Sequence, residues 1–222
     1  FMPIQTYAFD VYGTLIDTNG VLEVLRRITG DQAEQINAIW RSKQLEYSFR
    51  RGLMQKYSPF PLITTAALNY ALAVRKVRLK EEDHQLLLES YQNLPAFPDA
   101  VAAMKALSKK GVQKLFAFSN GPQLVVYKLL EQAQLLPYFH GIVSVEATHL
   151  FKPSPVVYQY FAQTTHTPIA ACALVSGNSF DVLGAKAAGM QGIWVQRDKQ
   201  TIFDPWEEDP DRIIENLGAL VA

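Results

Sequence analysis

The sequence predicts an α/β fold in which a doubly wound parallel sheet is interrupted by a helical insertion. From Asp99 onwards, short apolar runs alternate with helical patterns, which is typical of parallel strands joined by crossover helices. A similar apolar run, Tyr7–Phe9, stands near the N-terminus. Between about Leu15 and Leu94 the pattern is helical throughout, so we expect this segment to follow the first strand as an insertion.

The length and composition fit such a fold and exclude several classes of partner. The chain has 222 residues, 49% of them hydrophobic and 19% charged, which suits a packed core. Its 21 basic and 21 acidic residues balance, so we expect neither nucleic acid nor a membrane as partner. No apolar run approaches the roughly 18 residues of a membrane span. The single Cys172 forms no internal disulfide, so we expect a cytoplasmic protein.

The first predicted strand ends in the motif D-x-x-G-T, formed by Asp10, Gly13 and Thr14. A carboxylate at the carboxyl end of a parallel strand lies where open α/β sheets bind ligands. Gly13 permits a sharp turn, and Thr14 can donate a hydrogen bond that leaves one Asp10 oxygen facing outward. The alternative is that Asp10 only caps a turn and Thr14 only starts a helix.

The inserted segment contains four helical patterns and spans residues 17–95. The first pattern ends at Gly30, and Asp31 is the predicted N-cap of the second. We expect the segment to form a helical cap over the sheet edge. The remaining residues, 1–16 and 96–222, are predicted to form a Rossmann-like core domain.

The later strands of the core are also followed by polar residues. The predicted strands are Leu115–Phe118, Ile142–Val145, Ala171–Val175 and Ile193–Val195, the last of which is expected to end the sheet. Because carboxyl ends of parallel strands share one edge, we expect the polar residues to meet Asp10 in one cleft. They are Ser119, Asn120, Lys152, Ser176, Asn178 and Asp181.

Each of these residues also has an explanation without function. Ser119, Ser176 and Asn178 are ordinary helix N-caps. Lys152 is an ordinary loop lysine, and Asp181 in a first helical turn complements the helix dipole. Their common position after strand ends favours the cleft.

These motifs, in this order, resemble the haloacid dehalogenase superfamily. The matching stretches cover nearly the whole chain and are Asp10–Asp17, Ser119-Asn120, Phe151–Pro153 and Ser176–Asp181. More narrowly, Tyr12, the stretch W-R-S-K-Q-L-E-Y at residues 40–47 and the residues from Lys152 to Tyr158 resemble the L-2-haloacid dehalogenases. The resemblance implies hydrolytic dehalogenation of L-2-haloalkanoic acids to D-2-hydroxy acids.

The resemblance also implies a role for each matching residue. Asp10 attacks C2 of the substrate, and water then hydrolyses the resulting ester, so C2 is inverted once. The expected catalytic residues are Asp10, Thr14, Arg41, Ser119, Lys152, Tyr158, Ser176, Asn178 and Asp181. The expected substrate pocket comprises Tyr12, Leu45, Phe60, Ser119, Asn120 and Phe180, and the halide site comprises Arg41, Asn120 and Phe180.

The resemblance implies different roles for the polar residues. Thr14 and Lys152 are expected to orient Asp10, and Ser119 to bind the substrate carboxylate. Asp181, with Ser176 and Asn178, is expected to position the hydrolytic water. Tyr158 is expected to face Lys152 or the substrate carboxylate.

Position 12 argues for a dehalogenase rather than a phosphatase. Phosphatases of the superfamily carry an Asp there as a general acid, whereas Tyr12, with a reference pKa of about 10, is a poor acid near neutral pH. A departing halide needs no proton. Lys152 can partly neutralise Asp10 and Asp181, and a 2-haloacid carries only one negative charge. We therefore expect no metal and no other cofactor. A Mg²⁺-dependent phosphatase and a non-catalytic binding domain are the alternatives.

The resemblance implies a homodimer. Trp40, Tyr47 and the helix Leu68–Val74 are candidates for its interface, but they are equally suited to the core of the cap.

Overall fold

A computed structural model describes residues 2–222 and has a six-stranded sheet at its centre. The strands are β1 (Thr6–Phe9), β2 (Lys114–Ser119), β3 (Gly141–Ser144), β4 (Cys172–Ser176), β5 (Gln191–Val195) and β6 (Arg212–Ile214). Their order is β3-β2-β1-β4-β5-β6, and every neighbouring pair is parallel. The order reverses between β1 and β4, so a crevice is expected at their carboxyl ends.

The sheet has one strand more than the sequence analysis predicted. Ile193–Val195 was expected to be the final strand, but β6 pairs with β5 beyond it, with Val195 opposite Ile214. That expectation was wrong because β6 has only three residues, of which only Ile214 is buried, too short a run to show alternation. The third strand also ends one residue early, because Val145 begins a 3₁₀ turn that Ser144 caps.

The helices divide into two groups of four. The first four along the chain are α1 (Leu22–Thr29), α2 (Ala33–Leu53), α3 (Phe60–Val74) and α4 (Glu81–Gln92), all in the segment after β1. The four that follow α4 along the chain are α5 (Ala100–Lys110), α6 (Gln123–Gln132), α7 (Pro155–Thr164) and α8 (Ser179–Ala187). Within residues 2–222, no helix is long and apolar enough to cross a membrane.

The predicted N-cap of the second helix is wrong. Asp31 lies inside a 3₁₀ turn, Gly30–Gln32, and α2 starts after Gln32 without a side-chain cap. The turn begins at Gly30, whose φ of 60° ends α1. It places the N-cap of α2 at Gln32, one residue downstream of Asp31.

The cap leaves and rejoins the sheet through two connections that run side by side. Asp17 N donates to Pro95 O at 2.8 Å, and Phe97 N donates to Leu15 O at 2.9 Å. Ile16 and Ala96 form an antiparallel bridge between them. Both connections therefore lie just beyond the carboxyl end of β1.

The cap has an apolar core of its own. Trp40 is buried and its Nε1 donates to Thr64 O at 2.9 Å, while Leu68 and Ala71 of α3 are fully buried. Tyr70 on the same helix is exposed. Trp40 and the inner face of α3 thus belong to the cap core, and only the outer face of α3 is available to a partner.

We expect Phe161→Ala to lower the free energy of unfolding by about 3–5 kcal/mol, because it removes buried apolar contacts and leaves a cavity. Phe161 on α7 is fully buried, and its ring centre lies 5.0 Å from Phe118 and 6.1 Å from Phe116. Urea denaturation measures the loss. The control Leu124→Ala, at a side chain 64% exposed, should change stability by about 0.5 kcal/mol or less. Equal losses in both variants would contradict the prediction.

Candidate active site

Asp10 follows β1 directly, and its two carboxylate oxygens have different surroundings. Oδ2 accepts hydrogen bonds from Thr14 Oγ1 at 2.9 Å, Ser176 Oγ at 2.9 Å and Asn178 Nδ2 at 2.7 Å. Oδ1, within residues 2–222, contacts only Lys152 Nζ, at 3.2 Å. The expected Thr14 bond is confirmed, and Oδ1 is the oxygen that keeps a lone pair for a reacting group.

The turn after Asp10 depends on Gly13. Its φ is +84°, a value that other residues rarely adopt. A Cβ atom there would lie 3.4 Å from Asn178 Nδ2 and 3.7 Å from Arg41 Nη2. These are ordinary van der Waals distances, so glycine is required here by the sharp turn and not by a lack of space.

Lys152 is enclosed between two carboxylates. Its Nζ donates to Asp181 Oδ2 at 2.7 Å, to Phe118 O at 2.8 Å and to Asp10 Oδ1 at 3.2 Å. Its side chain is 2% exposed. Burial acts to lower the pKa of Lys152, but the two carboxylates more than offset it and the net shift is upward. The ammonium group therefore keeps its charge at neutral pH.

The two carboxylates beside Lys152 have pKa values shifted in opposite directions. Burial acts to raise the pKa of Asp10, but Lys152 and the hydrogen bond from Ser176 more than offset this, so its pKa lies below the ordinary value. Burial raises the pKa of Asp181 to about 6 despite the attraction of Lys152. Asp10 is therefore ionised at neutral pH, and Asp181 is the carboxylate of the pair that gains a proton more readily.

Asp181 is fully buried, and both of its oxygens are engaged. Tyr158 OH donates to Asp181 Oδ1 at 2.7 Å, opposite the Lys152 contact to Oδ2. The sequence analysis expected Tyr158 to face Lys152 or the substrate carboxylate, and the hydroxyl bonds to Asp181 instead. Ser176 and Asn178, expected beside Asp181, donate to Asp10.

Ser119 is the last residue of β2, the neighbour of β1, Asn120 follows it, and both are buried. Ser119 Oγ accepts from Gly121 N at 3.0 Å, and Asn120 Oδ1 accepts from Lys152 N at 3.0 Å. The Asn120 oxygen thus holds the Lys152 loop, and its Nδ2 group is the part able to donate to a ligand.

Arg41 reaches from the cap to the core. Its Nη2 donates to Tyr12 O at 3.3 Å and to Asn178 Oδ1 at 3.4 Å, while Nη1 donates to Gln44 Oε1 at 2.8 Å. An arginine of the cap therefore lies beside a side chain that also bonds Asp10.

Gln44 is a residue that the sequence analysis missed. It is fully buried and joins Arg41 to Tyr91 OH (2.9 Å) and Thr64 Oγ1 (2.8 Å). The signal was its spacing: Gln44 is three residues after Arg41 on a predicted helix, so the two share a face.

The predicted apolar pocket is brought together only in part. The Tyr12 ring packs against Phe60, with centroids 5.8 Å apart, and both line a cavity of about 140 Å³ between α3, α4 and α6. Leu45 is half-buried on α2 and does not line this cavity. Phe180 packs edge-to-face on Phe49 at 5.0 Å, also away from Tyr12 and Phe60.

The sequence was compared with models of protein families. The model described as a haloacid dehalogenase-like hydrolase matches residues 4–189. The chain belongs to this family. The resemblance that the sequence motifs indicated is therefore confirmed.

Relatives of this haloacid dehalogenase-like hydrolase match over nearly their whole length. The chain is 33% identical to (S)-2-haloacid dehalogenase H-109 of Pseudomonas putida, covering 98% of this chain and 96% of that protein. It is 32% identical to haloacetate dehalogenase H-2 of Moraxella sp. strain B, with the same coverage. Among solved structures, L-2-haloacid dehalogenase from Xanthobacter autotrophicus with covalently bound chloropropionic acid matches with a TM-score of 0.91 and 30% identity, covering 98% of this chain and 97% of that one.

We expect Tyr158→Phe to raise the pKa of Asp181 from its value of about 6, because the Tyr158 hydrogen bond stabilises the ionised carboxylate. Carbon-13 NMR of labelled aspartate side chains across pH measures this titration. The control Tyr160→Phe changes a half-buried tyrosine of the same helix that does not contact Asp181. An unchanged or lower Asp181 pKa in Tyr158→Phe would contradict the expectation.

Proposed function

We propose that this protein hydrolyses L-2-haloalkanoic acids to D-2-hydroxy acids and halide. The observation that carries the proposal is the asymmetry of the Asp10 carboxylate. Three donors hold Oδ2, while Oδ1 stays available beside Lys152. The names of the relatives, which act on haloacids and haloacetate, agree with this chemistry.

In the first step Asp10 Oδ1 attacks C2 of the substrate from the side opposite the halogen. The C2–O bond forms as the C2–halogen bond breaks, and the halide leaves with the bonding electron pair. We propose that Arg41, Asn120 and Phe180 receive the halide, because positive charge and N–H donors stabilise the charge that develops there. Ser119 and neighbouring backbone N–H groups are the proposed site of the substrate carboxylate.

In the second step water attacks the ester carbonyl carbon of Asp10. The product leaves as the hydroxy acid, and the Asp10 carboxylate forms again with one oxygen from water. C2 is not touched in this step, so the single inversion of the first step determines the D product. The water loses a proton, and Asp181, with a pKa raised by burial to about 6, is suited to accept it.

Because Asp181 is enclosed, we propose that the proton reaches it through Lys152, whose ammonium bridges Asp181 and Asp10. The ammonium passes one of its protons to Asp181 Oδ2 and takes the proton that the water loses. The same ammonium supplies positive charge between the two carboxylates. No cofactor is part of the proposal. Tyr12 and Phe60 line the apolar side of the proposed pocket. The sequence predicts Leu45 there as well, although it does not line the cavity that Tyr12 and Phe60 share.

Halide release from the separate enantiomers of 2-chloropropionate, measured with EDTA present, tests the function. We expect release from the L enantiomer only, with D-lactate as product. Release from both enantiomers would keep the reaction but overturn the pocket geometry that selects the L enantiomer. No release with EDTA, together with phosphate release from a phosphomonoester on adding Mg²⁺, would favour the phosphatase. Neither activity would favour the non-catalytic domain.

We expect Asp10→Asn to abolish product formation, because an amide oxygen is a far weaker nucleophile than a carboxylate. Asp181→Asn should slow ester hydrolysis more than halide release, so rapid mixing with L-2-chloropropionate should show a burst of chloride followed by slow turnover. Asp31→Asn, at an exposed carboxylate of the cap, is the control and should react normally. Full turnover by Asp10→Asn without deamidation would refute the mechanism.

We also propose that the chain divides into a core of residues 1–16 and 96–222 and a cap of residues 17–95, and that it forms a homodimer in the cytoplasm. The dimer is supported by exposed apolar side chains of the inserted segment, among them Leu53, Met54 and Val74. Sedimentation equilibrium tests it. The location is supported by Cys172, a buried free cysteine whose thiol pKa burial raises to about 11.

A further inference from the structure

Arg197 lies just beyond β5, apart from the residues assigned above, and its guanidinium group contacts three segments of the chain. Nη1 donates to both carboxylate oxygens of Asp99, each at 2.8 Å. Nη2 donates to the backbone oxygen of Thr14. The guanidinium carbon lies 4.0 Å from the centre of the Phe97 ring. The side chain is only 17% exposed, so these contacts are largely shielded from solvent.

The contact with Thr14 joins Arg197 to the nucleophile. Thr14 Oγ1 donates to Asp10 Oδ2 at 2.9 Å and accepts from Gly177 N at 2.8 Å. The hydroxyl can satisfy both partners only if the backbone of Thr14 stays in place. Arg197 holds that backbone at the carbonyl of the same residue.

The other contacts make Arg197 a rigid support. Asp99 is itself fixed, because its Oδ2 also accepts from Leu217 N at 2.7 Å. Phe97 belongs to the chain segment that returns from the cap, and its N donates to Leu15 O at 2.9 Å. Arg197 therefore joins Thr14, where the chain leaves the core for the cap, to Phe97, where it returns, and to Asp99, which follows.

We propose that Arg197 is a positioning residue, which holds the Asp10 carboxylate in its reactive orientation through Thr14. The inference rests on the proposed function, in which Asp10 is the nucleophile. A lysine cannot replace Arg197, because one ammonium lacks the planar fork that reaches two carboxylate oxygens and a carbonyl while stacking on a ring.

We expect Arg197→Lys to lower kcat for L-2-chloropropionate by about tenfold or more, since a shift of about 1 Å in a reacting group costs up to a hundredfold. KM should stay within about twofold, because Arg197 does not contact the proposed substrate pocket. Arg197→Met should lower kcat at least as much. Circular dichroism melting shows whether each variant is folded at the assay temperature.

Lys186→Met is the matched control for the loss of a half-buried ion pair. Lys186 is 12% exposed in its side chain and pairs with Asp211 at 2.8 Å and Glu208 at 3.2 Å, with no contact to Thr14. We expect this variant to lose stability without a comparable loss of kcat.

A double-mutant cycle with Thr14→Ala tests whether Arg197 acts through Thr14. In that background Arg197→Lys should lower kcat by less than about twofold, because the hydroxyl that it positions is gone. Independent, multiplicative losses would overturn the route through Thr14. A normal kcat in folded Arg197→Lys would overturn the inference, and so would an equal loss of kcat in Lys186→Met. In either case, halide release by the wild-type protein would leave the proposed function intact. Failure of wild-type halide release would instead remove the proposed function.

Discussion

The arrangement of Asp10, Lys152 and Asp181 is the interaction on which the rest of the site depends. Removing three charges from water costs several kcal/mol for each ion, so such a group is stable only if its partners are accurately placed. Here the ammonium also donates to Phe118 O and lies 4.3 Å from the centre of the Phe118 ring. The second carboxylate is completed by Tyr158. Loss of Lys152 would leave two buried carboxylates without a compensating charge.

The sheet supplies this accuracy because the charged residues follow different strands or their loops at a single edge. Asp10 follows β1, Asp181 lies in the helix after β4, and Lys152 comes from the loop after β3. The parallel register joins these positions across β2, β1 and β4. The cap then adds Arg41, which Gln44 holds in place from the same helix face. The core therefore holds the Asp10 carboxylate, and the cap places the positive charge of Arg41 beside Asn178, which donates to that carboxylate.

Local patterns predicted the parts of the site that lie next to one another in sequence. The bond from Thr14 to Asp10 follows from four residues of spacing around a glycine turn. The strands were found where apolar runs were long enough, and β6 was missed because three residues show no periodicity. Gln44 was overlooked for a different reason: its importance comes from Tyr91 and Thr64, which are distant in sequence.

The sequence by itself determined the family, the parallel sheet with its helical cap, and the identity of the polar residues at the sheet edge, because strand ends and turn residues follow from short-range sterics and periodicity. Only the tertiary structure decided which partner each polar group takes. In it, Tyr158 donates to Asp181, Ser176 and Asn178 donate to Asp10, and Arg197 donates to the backbone oxygen of Thr14. Such pairings join residues separated by up to 183 positions, and they depend on distances and burial that no local pattern contains.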